Sequence, residues 1–274
     1  MFYEKLRESL DIPNKEDLPR GYFLVGKILV LRLKPSLYKY RKKIGEACLK
    51  ILPYVHTVIL EKGIEGEYRK PKIEIIAGCK CHPTQTILKE HDCQFLIDIS
   101  KVMWSKGNKS ERQRIVKLAK PKEIIVDMFA GIGYFSIFLA KKVKKVYSID
   151  INPVSIEFLR KNVWLNNVEN KVEILQGDCR KYSKFLENTA DRIIMGYLHD
   201  TEKFFPHALR IAKKNAIIHF HRALKIEEIE KTEKKLIEIA RKEKVKIKFL
   251  RVVRVKSYAP KVWHMVLDIK KEQL

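Results

Sequence analysis

The sequence predicts an α/β fold, a mostly parallel Rossmann-like sheet with an antiparallel edge strand, preceded by a smaller α+β domain. Three observations predict it: apolar runs alternate with helical segments from about Ile115 onward, a glycine turn follows the first of those runs, and the opening 98 residues offer short strands with one helical stretch. Residues 1–98 are expected to form the smaller domain, and 99–274 the larger one, with 99–115 as its entry segment.

In the first part, strands are expected at Leu24 to Leu33, His56 to Leu60, Lys72 to Ala77, Gln85 to Lys89 and Gln94 to Ile97, with a helix from Leu37 to Leu52. In the second, the strands are Ile124 to Met128, Val146 to Ile149, Val172 to Leu175, Arg192 to Met195 and Ala216 to Phe220. Helical segments, among them Pro153 to Leu165 and Thr201 to Ala212, separate them and imply right-handed crossovers. A charged helix, Ile226 to Lys244, precedes two closing strands, Ile247 to Val255 and Val262 to Ile269, whose pairing would make the antiparallel edge.

Lys and Arg number 57 against 33 Asp and Glu, a formal charge of +24 in 274 residues. Such an excess attracts a phosphate backbone and so points to a nucleic-acid partner. The basic residues are spread along the chain, and abundant Lys and Glu also suit a heat-adapted surface. There is no run of about 18 uncharged apolar residues and no signal peptide, which leads to the expectation of a cytoplasmic protein. Cys79, Cys81 and Cys93 lie close to His82 and His91 in sequence, but C-x-C is a poor zinc spacing. No metal is expected there, and strand alternation accounts for the pattern.

The segment Asp127-Met-Phe-Ala-Gly-Ile-Gly-Tyr134 reads as a strand delivering a tight turn into a helix. Gly131 and Gly133 would let the backbone approach a ligand, and a helix starting near Tyr134 would turn free amides toward it. Asp150 ends the next strand, where a ribose-binding carboxylate sits in doubly wound folds. The dinucleotide fingerprint is not met, because Ala130 and Ser136 stand where its first and third glycines would be. Asp-x-Phe-Ala-Gly-x-Gly instead resembles the first motif of class I S-adenosylmethionine (SAM) enzymes acting on RNA. At the third strand end, Asp178 would accept from the adenine amino group, with the Cys179 amide on a ring nitrogen, although Asp178 also suits a helix cap. The fourth strand ends in Met195-Gly196-Tyr197, lacking the Asn and Pro that hold a target nitrogen in N-methyltransferases.

Three segments carry a closer resemblance: Asp98 to Ile115, the Asp-Met-Phe-Ala-Gly-Ile-Gly-Tyr turn, and Asp-Arg-Ile-Ile-Met-Gly-Tyr. From about residue 20 onward the chain resembles the archaeal/eukaryotic wybutosine-synthesis tRNA aminocarboxypropyltransferases, a sister family of the tRNA guanine-37 N1-methyltransferases. The resemblance implies transfer of the 3-amino-3-carboxypropyl group of SAM to C7 of demethylwyosine, beside the anticodon of phenylalanine tRNA, with release of methylthioadenosine. It also implies cofactor contacts at Ser105, Arg112, Asp150, Asp178 and Cys179, which join Phe129 and Gly131 of the turn as the expected cofactor-binding residues. The family usually has Glu where Asp150 stands, and sometimes Lys at Arg112. No general base is implied. Arg112 suits the carboxylate of the amino acid arm, and a helix-surface ion pair is its alternative role. Trp104, Phe129 and Tyr197 are candidates for stacking on a base, while His219 and His221, alternate residues of one strand, are expected to share a packed face. Guanine-37 N1-methylation and non-catalytic RNA binding are the competing functions.

Overall fold

The computed structural model describes residues 1–65, 70–102 and 106–272, so Trp104 and Ser105 lie outside the described residues. By contacts the chain separates into two units, Met1–Trp104 and Ser105–Leu274, and residues 99–104 group with the first.

The first unit comprises α1 (Phe2–Ser9), β1 (Phe23–Val25), β2 (Ile28–Leu31), α2 (Arg41–Ile51), β3 (Thr57–Glu65), β4 (Lys70–Gly78), β5 (Gln85–Glu90) and β6 (Cys93–Asp98). β1 to β4 form one sheet in sequence order, with β2 and β3 parallel, and β5 and β6 form a separate hairpin. Leu6 and Leu10 from α1 and its end join Leu29, Ile44, Cys48 and Val58 in the core of this unit. The single strand expected at Leu24 to Leu33 is instead a hairpin. Gly26 adopts φ +54, and a Cβ there would come within 2.3 Å of Thr86 Oγ1, so only glycine makes this turn. The helix expected from Leu37 begins as a 3₁₀ segment, Pro35–Tyr40, before α2 takes over. Cys79 and Cys81 are exposed in the bend between β4 and β5 rather than alternating in a strand, while Cys93 is buried in β6. Among the described residues no cluster of His, Cys, Asp or Glu could hold a metal ion.

The second unit contains α3 (Lys109–Leu118), β7 (Ile124–Asp127), α4 (Ser136–Ala140), β8 (Lys145–Asp150), α5 (Pro153–Leu165), β9 (Val172–Gln176), α6 (Cys179–Tyr182), β10 (Ala190–Met195), α7 (Phe205–Ile211), β11 (Ala212–Leu224), α8 (Ile229–Lys242), β12 (Lys246–Ala259) and β13 (Val262–Glu272). Its sheet has the order β12-β13-β11-β10-β7-β8-β9. The five strands from β11 to β9 are parallel, and β13 runs antiparallel to both β11 and β12. Strand order reverses between β7 and β10, so the carboxyl edge there is the switch-point crevice where ligands bind in such sheets.

Local chemistry explains the elements flanking that crevice. Asn152 caps α5, accepting from Val154 N–H at 3.0 Å, and Pro153 suits its first turn. Thr232, Leu236 and Ala240 recur every four residues of α8 and form its buried stripe. The helix expected to start near Tyr134 starts at Ser136 and is only five residues long, because Gly131 to Phe135 continue the turn. No helix among the described residues is long and apolar enough to cross a membrane.

Candidate cofactor and RNA site

The turn after β7 is locked by its own hydrogen bonds. Gly133 and Tyr134 N–H both donate to Ala130 O, at 2.9 and 3.3 Å, and Ala130 N–H donates to Ile149 O at the end of β8. The expectation of free amides aimed at a ligand therefore fails for these two residues. Gly131 N–H is also engaged, donating to Asp150 Oδ2 at 2.7 Å. The glycines answer to the turn itself: at Gly131 (φ +57) a Cβ would lie 2.6 Å from the Tyr134 ring, and at Gly133 (φ +100) equally close to Ile137.

Two carboxylates end β7 and β8. Asp127 is fully buried and accepts from Ser136 Oγ–H at 2.8 Å, and burial pushes its carboxyl up to about 7. Asp150 is partly exposed. Its Oδ1 accepts from Asn152 N–H at 2.9 Å and its Oδ2 from Gly131, so each oxygen keeps acceptor capacity for a ribose hydroxyl. Burial raises its pKa and the two amides oppose the rise.

Arg112 is only 2% exposed, one of the largest buried side chains, which rules out the surface ion pair. Its charge and that of Asp150 both act on the Tyr134 phenol, whose pKa burial raises. Tyr134 thus lies by the Gly131–Asp150 turn, within reach of the Arg112 charge. Sequence reasoning singled out Tyr134 only as the start of a helix; its place directly after two glycines was the available signal.

Asp178 behaves as the helix cap. Its Oδ1 accepts from Arg180 N–H at 2.9 Å, and the Arg180 guanidinium clasps it over 2.5 to 3.0 Å, which lowers its pKa. The Cys179 side chain turns into the core beside Met128 and Ile149, and burial pushes its thiol up to about 12. Only the backbone of Cys179 is left to meet a base.

At the end of β10, Tyr197 stacks on Phe129 with centroids 5.2 Å apart, and Phe204 meets Phe129 edge-on at 5.0 Å. His199 extends this group, accepting or donating at 3.0 Å with Tyr258 Oη. Each ring of the stacked pair thus has one face taken by protein. Gly196 is different from the turn glycines: its φ is ordinary, and a Cβ there would make only van der Waals contact with Phe135 at 3.6 Å. The turn does not require glycine at 196. The unfilled acceptor capacity of Asp150 suits the ribose hydroxyls of a nucleoside cofactor.

Beneath the site lies a buried ion network that sequence reasoning missed. Arg114 binds both Glu111 oxygens at 2.7 Å and both Asp268 oxygens at 2.6 and 3.0 Å. Asp268 also meets His219 Nδ1 at 2.6 Å, and His219 Nε2 accepts from Arg192, which pairs with Glu123. Burial would raise the Asp268 pKa, but His219 and Arg114 outweigh it and hold the carboxyl well below the usual range. His219 and His221 are both buried as expected; His221 pairs with His264 at 2.9 Å, while Arg222 pairs with Glu202.

Comparison with known proteins shows the family. The TRM5/TYW2 methyltransferase domain model matches residues 86–248, and the TYW2 N-terminal domain model matches residues 2–81. The chain is 38% identical to the tRNA(Phe) (4-demethylwyosine(37)-C(7)) aminocarboxypropyltransferase of Pyrococcus horikoshii, over 97% of this chain and 96% of that one. It is 34% identical to the tRNA (guanine(37)-N(1))-methyltransferase Trm5b of Pyrococcus abyssi, over 96% of this chain and 79% of that one. The crystal structure of P. horikoshii TYW2 in complex with MeSAdo matches with a TM-score of 0.86 and 34% identity, covering 100% of this chain and 98% of that one.

Proposed function

The chain belongs to the TRM5/TYW2 family, and from that premise we propose that it is an aminocarboxypropyltransferase that modifies tRNA with SAM as the group donor. It transfers the 3-amino-3-carboxypropyl group to C7 of 4-demethylwyosine at position 37. The observation that carries this choice over methylation is the Met195-Gly196-Tyr197 end of β10, which lacks the Asn and Pro that would grip a target nitrogen. The near-complete coverage of the P. horikoshii enzyme, and the match of residues 2–81 to its family's N-terminal domain, support the same choice.

When bound, SAM supplies a sulfonium with three electrophilic carbons, and orientation selects which one reacts. In this reading the residues of the site do the orienting. Asp150, already aimed by Gly131 and Asn152, accepts the ribose hydroxyls. Arg112 grips the carboxylate of the amino acid arm with its planar fork, and its burial keeps water from competing. Ser105 belongs to the same group by its resemblance to the family. Phe129 and Gly131 shape the adenosine side, and Asp178 releases Arg180 or shares its carboxylate to meet the adenine amino group, with the Cys179 amide on the ring. Residues 1–98 form a tRNA-contacting part, the substrate is the anticodon loop of phenylalanine tRNA, and the enzyme works in the cytoplasm.

The test is the cofactor product. Turnover with demethylwyosine-containing tRNA and SAM labelled separately in its methyl and carboxypropyl carbons is expected to release methylthioadenosine and to leave the carboxypropyl label on the tRNA. S-adenosylhomocysteine as the main product would replace this reading with guanine-37 N1-methylation.

A further inference from the structure

Arg112 sits between two residues of α3 that take part in fastening that helix to the sheet. Glu111, Arg112 and Ile115 are the buried residues of the helix, and Arg114 holds Glu111 on its own helix and Asp268 on β13 at once. The chain of bonds continues. His219 of β11 lies directly opposite Asp268 in the register, and Arg192 of β10 donates to His219 Nε2 at 2.7 Å. A guanidinium only donates, so His219 Nε2 accepts and its Nδ1 carries the proton given to Asp268 at 2.6 Å. Arg192 then returns to α3: its Nη2 donates at 3.1 Å to Leu118 O, in the last residue of the helix, and the same guanidinium pairs with Glu123. Lys142 donates to Val116 O at 2.8 Å nearby. Both ends of α3 are thereby tied to the adjacent strands β13, β11 and β10 through Glu111, Asp268, His219 and Arg192, all of them buried.

The same face of the sheet also anchors the glycine turn. His221 follows His219 on that face, while Phe220 between them points into the apolar core on the other side. His221 Nε2 lies 4.0 Å from Glu111, and its ring meets Phe135, the last residue of the turn, edge to face at 5.6 Å. Helix and turn thus share one anchorage, and the place of Arg112 relative to the turn follows from it. Apolar side chains could cover this face with no loss of stability, since pairing only about offsets the desolvation of buried charges. They would not supply direction. Packed apolar surfaces let a helix slide by small steps, whereas a row of hydrogen bonds with fixed donors and acceptors admits one register.

We propose that the Arg114–Asp268 clamp positions the cofactor's amino acid arm, fixing α3 so that the Arg112 fork stands where the arm's carboxylate is held. The proposal rests on the reading that Arg112 takes that carboxylate, and it adds Arg114 and Asp268 as positioning residues that act through Arg112. In-line displacement at the carboxypropyl carbon depends on where the arm lies, and a misplacement of about 1 Å costs on the order of a hundred-fold in rate. A network that stabilises the fold and does nothing else is the outcome the test must separate.

The experiment measures by calorimetry, without tRNA, the affinities for S-adenosylhomocysteine and methylthioadenosine, two neutral thioethers of which only the first carries the amino acid arm. Arg112→Ala is expected to weaken S-adenosylhomocysteine about ten- to a hundred-fold, the range for a hydrogen bond to a charged group, and to leave methylthioadenosine within about two-fold. Arg114→Lys cannot bridge two carboxylates with a fork, and Asp268→Asn keeps the shape of the acceptor but loses its charge. Each is expected to weaken S-adenosylhomocysteine by about ten-fold and to spare methylthioadenosine, while Arg114→Lys added to Arg112→Ala is expected to cause no further loss. Leu236→Ala, in the buried stripe of α8, lowers stability away from α3 and is expected to keep both affinities. All are measured well below the melting temperature of each variant. An unchanged affinity ratio in Arg114→Lys, or in Asp268→Asn should the lysine variant not fold, would overturn the proposal and leave a stabilising network; so would a further loss in the double variant. An unchanged ratio in Arg112→Ala would overturn the reading of Arg112 and the clamp's purpose with it, and that single variant tells the two failures apart.

Discussion

Gly131 donates its amide to Asp150 Oδ2 over 2.7 Å, so the turn after β7 and the carboxylate ending β8 form one hydrogen-bonded unit. The carboxylate is aimed before any ligand arrives, and an acceptor held in place by the scaffold loses little on binding.

Asp150→Ala should weaken SAM binding by roughly 1.5–3 kcal/mol, about ten-fold to a hundred-fold, the range for a hydrogen bond to a charged group. Asp150→Glu, the residue usual in the family, should retain most of the affinity. Calorimetry with SAM checks both, and tRNA affinity should stay nearly constant. Unchanged SAM binding in the alanine variant would remove Asp150 from the site.

Arg112→Ala removes both the charge and the bidentate fork. Its turnover should fall by about 10- to 100-fold through misplacement of the amino acid arm, with a smaller change in adenosine affinity. Single-turnover rates set against adenosine titrations separate these effects. Equal losses in both would make Arg112 a general packing residue.

Asp127 gives a pH signature. Burial pushes its carboxyl up to about 7, above the ordinary aspartate value of about 3.9, so the folded state holds a proton that the unfolded chain has released between those values. Its contribution to stability therefore falls as pH rises from about 4 to 7 and is flat above. The total is up to about 4 kcal/mol at 1.36 kcal/mol per pH unit. Asp127→Asn should remove this dependence, so thermal melts should favour the variant more at pH 8 than at pH 5. A pH-independent difference would mean that Asp127 does not titrate in this range.

Arg114→Ala should destabilise the protein by about 3–5 kcal/mol, because it strips the shared partner from the buried Glu111 and Asp268 carboxylates. The Asp268 pKa is depressed, so its stabilisation is present above the ordinary carboxylate range and is lost as pH falls through the folded value. The penalty of Arg114→Ala should accordingly shrink in acid. Denaturant unfolding at neutral and acidic pH measures it, and a penalty below 1 kcal/mol at neutral pH would contradict a stabilising network.

The sequence by itself determined the strands of the second unit, the glycine turn, Asp150 at its strand end and the absence of Asn and Pro after Met195. Each is local, written in periodicity or turn chemistry over a few residues. Tertiary structure decided what each group is bonded to. Tyr134 and Gly133 spend their amides on Ala130, and Asp178 spends its carboxylate on Arg180. The helix-surface pair left open as the alternative for Arg112 was excluded only by the fold, because burial depends on what packs above a residue. Arg114 and Asp268 are 154 residues apart, and no local pattern signals their pairing. Local patterns specify elements, whereas hydrogen-bond partners, burial and charge compensation are set by residues that meet only when the chain is folded.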